Sequence, residues 1–232
     1  MNQKLLKSLL IFVAVLSCVS ASAQEKWTGI DRYAADNEKL MAAPADTARI
    51  VLLGNSITDF WPTRSPEFFK RHPQLVGRGI SGQTSHQMLV RFREDVVNLH
   101  PKVVVINCGT NDIAENHKIP YSEANTMGNI MSMVEIAKAN GIKVFLASVL
   151  PSKCMYWAPE KTNIADKVAS LNARIKAYAL QQGITYIDYY SSMVYGTERE
   201  LNPAYTKDGV HPTPDGYRLG MEPVLQSALH LE

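Results

Sequence analysis

Five short apolar runs punctuate the chain: Arg49–Leu53, Leu75–Ile80, Val103–Asn107, Lys143–Val149 and Ile184–Asp188, the second the weakest. They are rich in β-branched residues. Their apolarity is nearly continuous rather than alternating, which suits parallel strands covered on both faces. Between them the apolar positions switch to helical spacing. Gln83–Leu99 places Met88, Phe92, Val96 and Leu99 at that spacing. Tyr121–Asn140 does so with Met127, Ile130, Met131, Val134 and Ile136, and Gly141 supplies a stop. Ala165–Gln182 carries Val168, Leu171, Ile175 and Tyr178, and ends at Gly183. A last helix is expected from Thr213-Pro214, with Thr as N-cap and Pro at the first helical position. Strand and helix alternate throughout. The pattern predicts a three-layer α/β/α sandwich around a parallel sheet of about five strands. In such a sheet the site lies outside the carboxyl ends of the strands.

The first residues break the pattern. Lys4 and Lys7 precede the apolar stretch Leu9–Leu16, and Ala21-Ser22-Ala23 forms a small-x-small cleavage site before Gln24. This reads as a secretory signal over residues 1–23, with one domain over 24–232. The apolar run is too short to span a bilayer, which takes about 20 residues. Val15-Leu16-Ser17-Cys18 partly resembles a lipoprotein box, so tethering through Cys18 is a minor alternative to release into the periplasm or medium.

Charge adds an exclusion. The chain has 24 Lys+Arg and 22 Asp+Glu; without Lys4 and Lys7 the count is even. A neutral chain with no Lys/Arg cluster gives no electrostatic footprint for nucleic acid or a membrane surface. Cys108 and Cys154 remain after cleavage, too few for a disulfide framework. No Cys or His spacing suggests a metal site, and no cofactor is called for.

Four polar groups follow the strands: Gly54-Asn55-Ser56 after the first, Ile80-Ser81-Gly82-Gln83-Thr84 after the second, Gly109-Thr110-Asn111-Asp112 after the third, and Asp208-Gly209-Val210-His211-Pro212 past the last. Alone, each reads as a turn, a cap or a structural histidine. Together they supply what acyl transfer needs: a nucleophile, a base, a group to orient the base, and donors for an oxyanion. Ser56 suits the nucleophile and His211 the base. Asp208, three residues earlier, can reach the ring and fix its tautomer. Gly82 can offer an unobstructed N–H, and Asn111 an amide N–H, to the same oxygen.

At these residues the chain resembles the SGNH hydrolases, also called the GDSL esterase/lipase family. Gly54-Asn55-Ser56 matches the family's Gly-Asp-Ser block, Gly82 the glycine of the second, Gly109-Thr110-Asn111-Asp112 the Gly-x-Asn-Asp block, and Asp208–His211 the Asp-x-x-His block. The resemblance implies the flavodoxin-like SGNH fold, with Ser56, Gly82, Asn111 and His211 as the name-giving residues and Asp208 completing the triad. Asn55 departs from the family's Asp. Thr58 stands where an α/β-hydrolase elbow would have its second Gly, and acid and base are only three apart, which sets that fold aside.

The substrate is less sharply drawn. Pro151–Pro159, with Tyr156 and Trp157, and the stretch holding Tyr189, Tyr190, Tyr195 and Tyr205 are expected near the pocket or packed on the core. Trp61 either walls the acyl pocket or caps the following helix. Aromatic loops suit sugar rings, and no lid-like amphipathic insertion is present. The expectation is an exported esterase for short acyl, especially acetyl, esters on carbohydrates. A lysophospholipase or thioesterase, and a catalytically silent sugar-binding module, are the alternatives. A flavodoxin-type nucleotide binder lacks its phosphate loops.

Overall fold

A computed structural model describes residues 27–43 and 48–231. The expected signal segment, its cleavage site and Cys18 lie outside the described residues. Five parallel strands form the sheet: β1 (Ile50–Gly54), β2 (Leu75–Gly79), β3 (Val103–Ile106), β4 (Lys143–Ala147) and β5 (Thr185–Ile187), in the order β2-β1-β3-β4-β5. Helices cover both faces, as a three-layer α/β/α sandwich. In chain order they are α1 (Ala34–Ala42), α2 (Ser56–Arg64), α3 (Pro66–Arg71), α4 (Ser85–Val90), α5 (Phe92–Asp95), α6 (Thr110–Ile113), α7 (Glu123–Ala139), α8 (Ile164–Gln181), α9 (Tyr189–Met193) and α10 (Glu222–Leu229).

Successive strand residues face opposite layers. Val51, Leu53, Val104, Ile106 and Leu146 pack with Met88, Ile130, Val134, Val168 and Leu171 on one side. Ile50, Leu52, Val103, Val105 and Phe145 pack with Trp61, Phe68, Tyr217 and Leu225 on the other. Two buried faces explain why the strands read as unbroken apolar runs. Each buried Val, Leu or Phe contributes about 1.5–3 kcal/mol relative to exposure.

The helix ends follow the local chemistry. Gly141 and Gly183 take φ of +72° and +62° just past α7 and α8, a conformation that favours glycine. Thr213 caps the last helical stretch: its hydroxyl accepts the Gly216 N–H at 3.2 Å, and helix begins at Pro214. That stretch then widens into a π-helical segment, Gly216–Met221, before α10.

Two expectations need correction. The single helix over Gln83–Leu99 is broken into α4, α5 and a short 3-10 turn, Val97–Leu99. Breaks fall at Arg91 (φ −91°, ψ 4°) and Val96 (φ −128°, ψ −65°). Met88, Phe92, Val96 and Leu99 are nevertheless all buried. In α7, Met131 is exposed and Met133 and Ala137 take the inward positions. A small hairpin of β6 (Val194–Tyr195) and β7 (Glu200–Leu201) and the helix α1 were not expected.

β1 pairs with β2 on one side and β3 on the other, so chain crossovers diverge there. This is the switch point at which α/β sheets open a crevice beyond the strand ends. The loops after β1 and β3, bearing Ser56 and Asn111, emerge side by side.

Candidate active site

The turn after β1 is held by its own side chain. Asn55 Oδ1 accepts the Ile57 N–H at 3.0 Å and so caps α2. Gly79, alongside on β2, permits the turn: a Cβ there would sit 2.1 Å from the Asp59 nitrogen and 2.6 Å from the Asn55 oxygen. Ser56 becomes the first helical residue, where its N–H has no intrahelical acceptor.

Ser56 Oγ lies 2.8 Å from His211 Nε2, and His211 Nδ1 lies 2.8 Å from Asp208 Oδ2. The second carboxylate oxygen, Asp208 Oδ1, accepts the backbone N–H of His211 at 2.7 Å and of Val210 at 2.9 Å. Burial pushes the Asp208 carboxyl up, but the hydrogen bonds from His211 and Val210 outweigh it and hold the carboxyl below its ordinary range. Thr206 steadies the loop, accepting from Gly209 N–H at 3.1 Å and donating to the His211 carbonyl at 2.9 Å.

Opposite the serine, Gly82 has φ +81°, and a Cβ built there would point into open space near only Asn116 Nδ2, at 3.9 Å. Ser81 is pinned by Asp59, whose Oδ2 accepts its N–H at 3.1 Å and its hydroxyl at 2.7 Å. Asn116 donates to the Gly82 carbonyl at 3.0 Å and accepts from Trp157 Nε1 at 2.8 Å. Asn111 donates one amide proton to the Gln83 carbonyl at 2.9 Å, which leaves the other for the cleft. Gln83 is gripped by the fully buried Arg91, whose guanidinium also reaches the carbonyls of Gly54 and Arg78, both at 3.0 Å, and Asp95 at 2.8 Å. Burial lowers the Arg91 pKa, opposed by Asp95.

Ser56, Gly82, Asn111, Asp208 and His211, all anticipated, line one cleft of about 450 Å³. The cleft also holds residues sequence reasoning did not single out: Phe60, Arg64, Ser81 and Asn116. For two of them the signal was present, since Phe60 and Arg64 follow Ser56 at helical steps of four. Of the candidate aromatics, Tyr156 and Trp157 reach the cleft. Their rings lie 6.3 and 6.1 Å from His211, and Phe60 lies 5.3 Å from it. Tyr189 is core, Tyr190 and Tyr205 are partly buried against it, and Tyr195 is exposed on β6. Trp61 neither walls the pocket nor caps the helix. It is buried, stacked on Phe68 and Tyr217 at 5.9 and 5.3 Å. Cys108 is buried, its thiol pushed well up by burial, and both it and Cys154 are free. Asp112 ties α4 to α7 by accepting from Ser85 and Thr126.

The arrangement sets a serine hydroxyl beside an imidazole and a carboxylate behind the imidazole, with Gly82 and Asn111 lining the same cleft, groups of the kind that acyl-ester hydrolysis uses. Sequence comparison agrees: the profile of the GDSL-like lipase/acylhydrolase family matches residues 52–219. The chain belongs to this family of carboxylic ester hydrolases.

Solved structures are similar to it along most of its length. A candidate acylhydrolase from Bacteroides fragilis NCTC 9343 is 54% identical with a TM-score of 0.84, covering 88% of this chain and 97% of that one. A GDSL-like lipase from Bacteroides thetaiotaomicron VPI-5482 is 50% identical with a TM-score of 0.83, covering 88% and 98%. Axe2, an acetylxylan esterase from Geobacillus stearothermophilus, shares the fold at 17% identity and a TM-score of 0.66, covering 82% and 98%. A stretch of 79 residues is 33% identical to the uncharacterized lipoprotein YqeF of Bacillus subtilis (strain 168), 33% of this chain and 32% of that one. The chain thus matches about a third of the length of that relative. Among the described residues no helix is long and apolar enough to cross a membrane.

Proposed function

We propose that the protein is an exported serine esterase that removes short acyl groups, acetyl above all, from carbohydrate esters. The observation that carries this reading is the unbroken line from Asp208 through His211 to Ser56, with both contacts at 2.8 Å. His211 takes the Ser56 proton as Oγ attacks the ester carbonyl, and Asp208 stabilises the imidazolium and fixes its orientation. The N–H groups of Ser56 and Gly82 and the second amide proton of Asn111 receive the developing oxyanion; such a donor is worth about 2.7–4 kcal/mol of barrier. His211 then protonates the departing alcohol, and water repeats the sequence on the acyl-enzyme.

The cleft supports the carbohydrate part of the reading. Its large apolar members are the rings Phe60, Tyr156 and Trp157, interleaved with Ser81, Asn116 and Arg64. Flat faces beside hydrogen-bonding groups suit a sugar, whereas a long acyl chain calls for a continuous apolar channel. Export rests on the sequence pattern of residues 1–23.

The test is hydrolysis of p-nitrophenyl esters from acetate to octanoate by the protein, Ser56→Ala and His211→Ala. Preference for acetate, lost at least about a thousandfold in both variants, is the expected result. Preference for longer chains favours a lysophospholipase or thioesterase. Sugar binding without turnover of any ester or of acetylated oligosaccharides favours the silent module.

A further inference from the structure

The nucleophile helix shapes more of the cleft than Ser56 alone. Ser56, Phe60 and Arg64 share one face of α2, and all three line the cleft. The Arg64 guanidinium lies 4.6 Å from the Phe60 ring centroid, and that ring lies 5.3 Å from His211. One guanidinium N–H goes to the Pro212 carbonyl at 2.6 Å. Arginine has five such donors. Among the described residues no carboxylate pairs with Arg64, which is also true of Arg49, Arg71, Arg78 and Arg93, but of these five only Arg64 lines the cleft. The Asp208 carboxylate faces the same cleft, but His211 and the Val210 N–H occupy its oxygens.

The acid–base pair decides which part of a substrate meets this cation. His211 Nε2 delivers its proton to the leaving oxygen, so the alcohol portion lies against the rings packed on the imidazole. Phe60 is one of those rings, and Arg64 stands on it. We propose that Arg64 recognises an anionic group, a carboxylate or a phosphate, on the alcohol portion of the ester. The inference rests on the esterase reading and deepens it: the alcohol is acidic rather than neutral. A guanidinium already held by Pro212 and Phe60 presents its remaining donors with little ordering cost.

The test compares kcat/KM for 4-acetoxybenzoate with that for its methyl ester. Both deliver acetyl, and only the first carries a charge. Intrinsic reactivity cancels when the anionic-to-neutral ratio is compared between proteins. The ratio is expected to fall about tenfold in Arg64→Gln and less in Arg64→Lys, which keeps charge without the fork. In the unmodified protein it is expected to fall as salt rises to about 0.5 M. A salt-insensitive ratio that Arg64→Gln leaves unchanged overturns the proposal. Equal loss on both esters also overturns it, assigning Arg64 to holding Pro212. If Arg64→Gln does not fold, the salt series decides. Failure on both of these esters while p-nitrophenyl acetate is turned over overturns this proposal alone; failure on every ester and on acetylated oligosaccharides sinks the esterase reading, and this proposal with it. Acetylated methyl glucuronoside set against acetylated glycerol phosphate then separates an acidic sugar from a phosphate headgroup.

Discussion

Arg91 Nε donates to Gln83 Oε1 at 2.6 Å, in a place where neither side chain is exposed. The Gln83 backbone carbonyl holds the Asn111 amide, so the buried cation positions, without touching it, the group proposed as an oxyanion donor. Arg91→Met would leave Asp95 with only Asn37 for a side-chain partner. Breaking a buried pair this way costs about 3–5 kcal/mol, measurable by urea unfolding. Gln83→Leu is expected to lower kcat about tenfold or more with little change in KM, because the donor matters most in the transition state. A change confined to KM would count against this linkage.

Asp208 yields a prediction with two readouts. At neutral pH, Asp208→Asn is expected to reduce kcat by about 10⁴, since an amide no longer stabilises the imidazolium. The stability effect has a definite sign. The folded carboxyl titrates below its ordinary range, so its contribution is present above the unfolded pKa and lost as pH falls through the folded one. The advantage of the native protein over Asp208→Asn in urea should therefore shrink toward zero as pH drops below the ordinary carboxylate range. The side chain is 34% exposed, so the advantage is modest even at neutral pH. An advantage that grows on acidification would contradict the hydrogen-bonding account.

Glycines separate the crowded turn from ordinary helix. A Cβ on Gly79 meets the Asp59 nitrogen at 2.1 Å and the Thr58 carbonyl carbon at 2.5 Å, both backbone atoms of α2, which Ser56 opens. Gly79→Ala must push α2 away from the sheet, with loss of several kcal/mol and of activity together. Gly128, inside α7, meets nothing within 4 Å, and Gly128→Ala is expected to stabilise by about 0.5–1 kcal/mol with activity intact. Thermal unfolding of the two variants side by side checks both signs.

What the sequence made legible was local or periodic. The strands showed as apolar runs because both faces of the sheet are covered, and Thr213, Gly141 and Gly183 mark helix ends by side-chain chemistry at the position itself. Ser56, Gly82, Asn111, Asp208 and His211 stood out because each follows a strand or forms a short motif. The break at Arg91 was hidden, since it accompanies a side chain turned inward to meet carbonyls on β1 and β2. Trp61 and Tyr156 illustrate the same limit. Both are large aromatics near site residues, yet one is buried beside Tyr217 and the other faces the cleft. Trp61 is buried by the packing of α2 on the last helical stretch, whereas Tyr156 sits in the loop after β4 against Trp157 and His211.

Asn55 is the one departure from the family's first block, and the structure gives the exchange a definite expected outcome. Its side chain is fully buried; Oδ1 caps α2, while Nδ2 has no partner. Asn55→Asp keeps the cap and replaces an unsatisfied donor with an oxygen at a helix N-terminus, where negative charge is favoured. The new charge stands one residue from Ser56, whose hydroxyl contacts His211. A nearby negative charge favours the protonated imidazole, which cannot act as base. The acid limb of the kcat/KM profile should therefore move to higher pH in Asn55→Asp, while the plateau rate changes less than about tenfold. A profile that superimposes on that of the unmodified protein would mean that the introduced carboxyl holds its own proton, and that the amide at this position has no electrostatic consequence for the base.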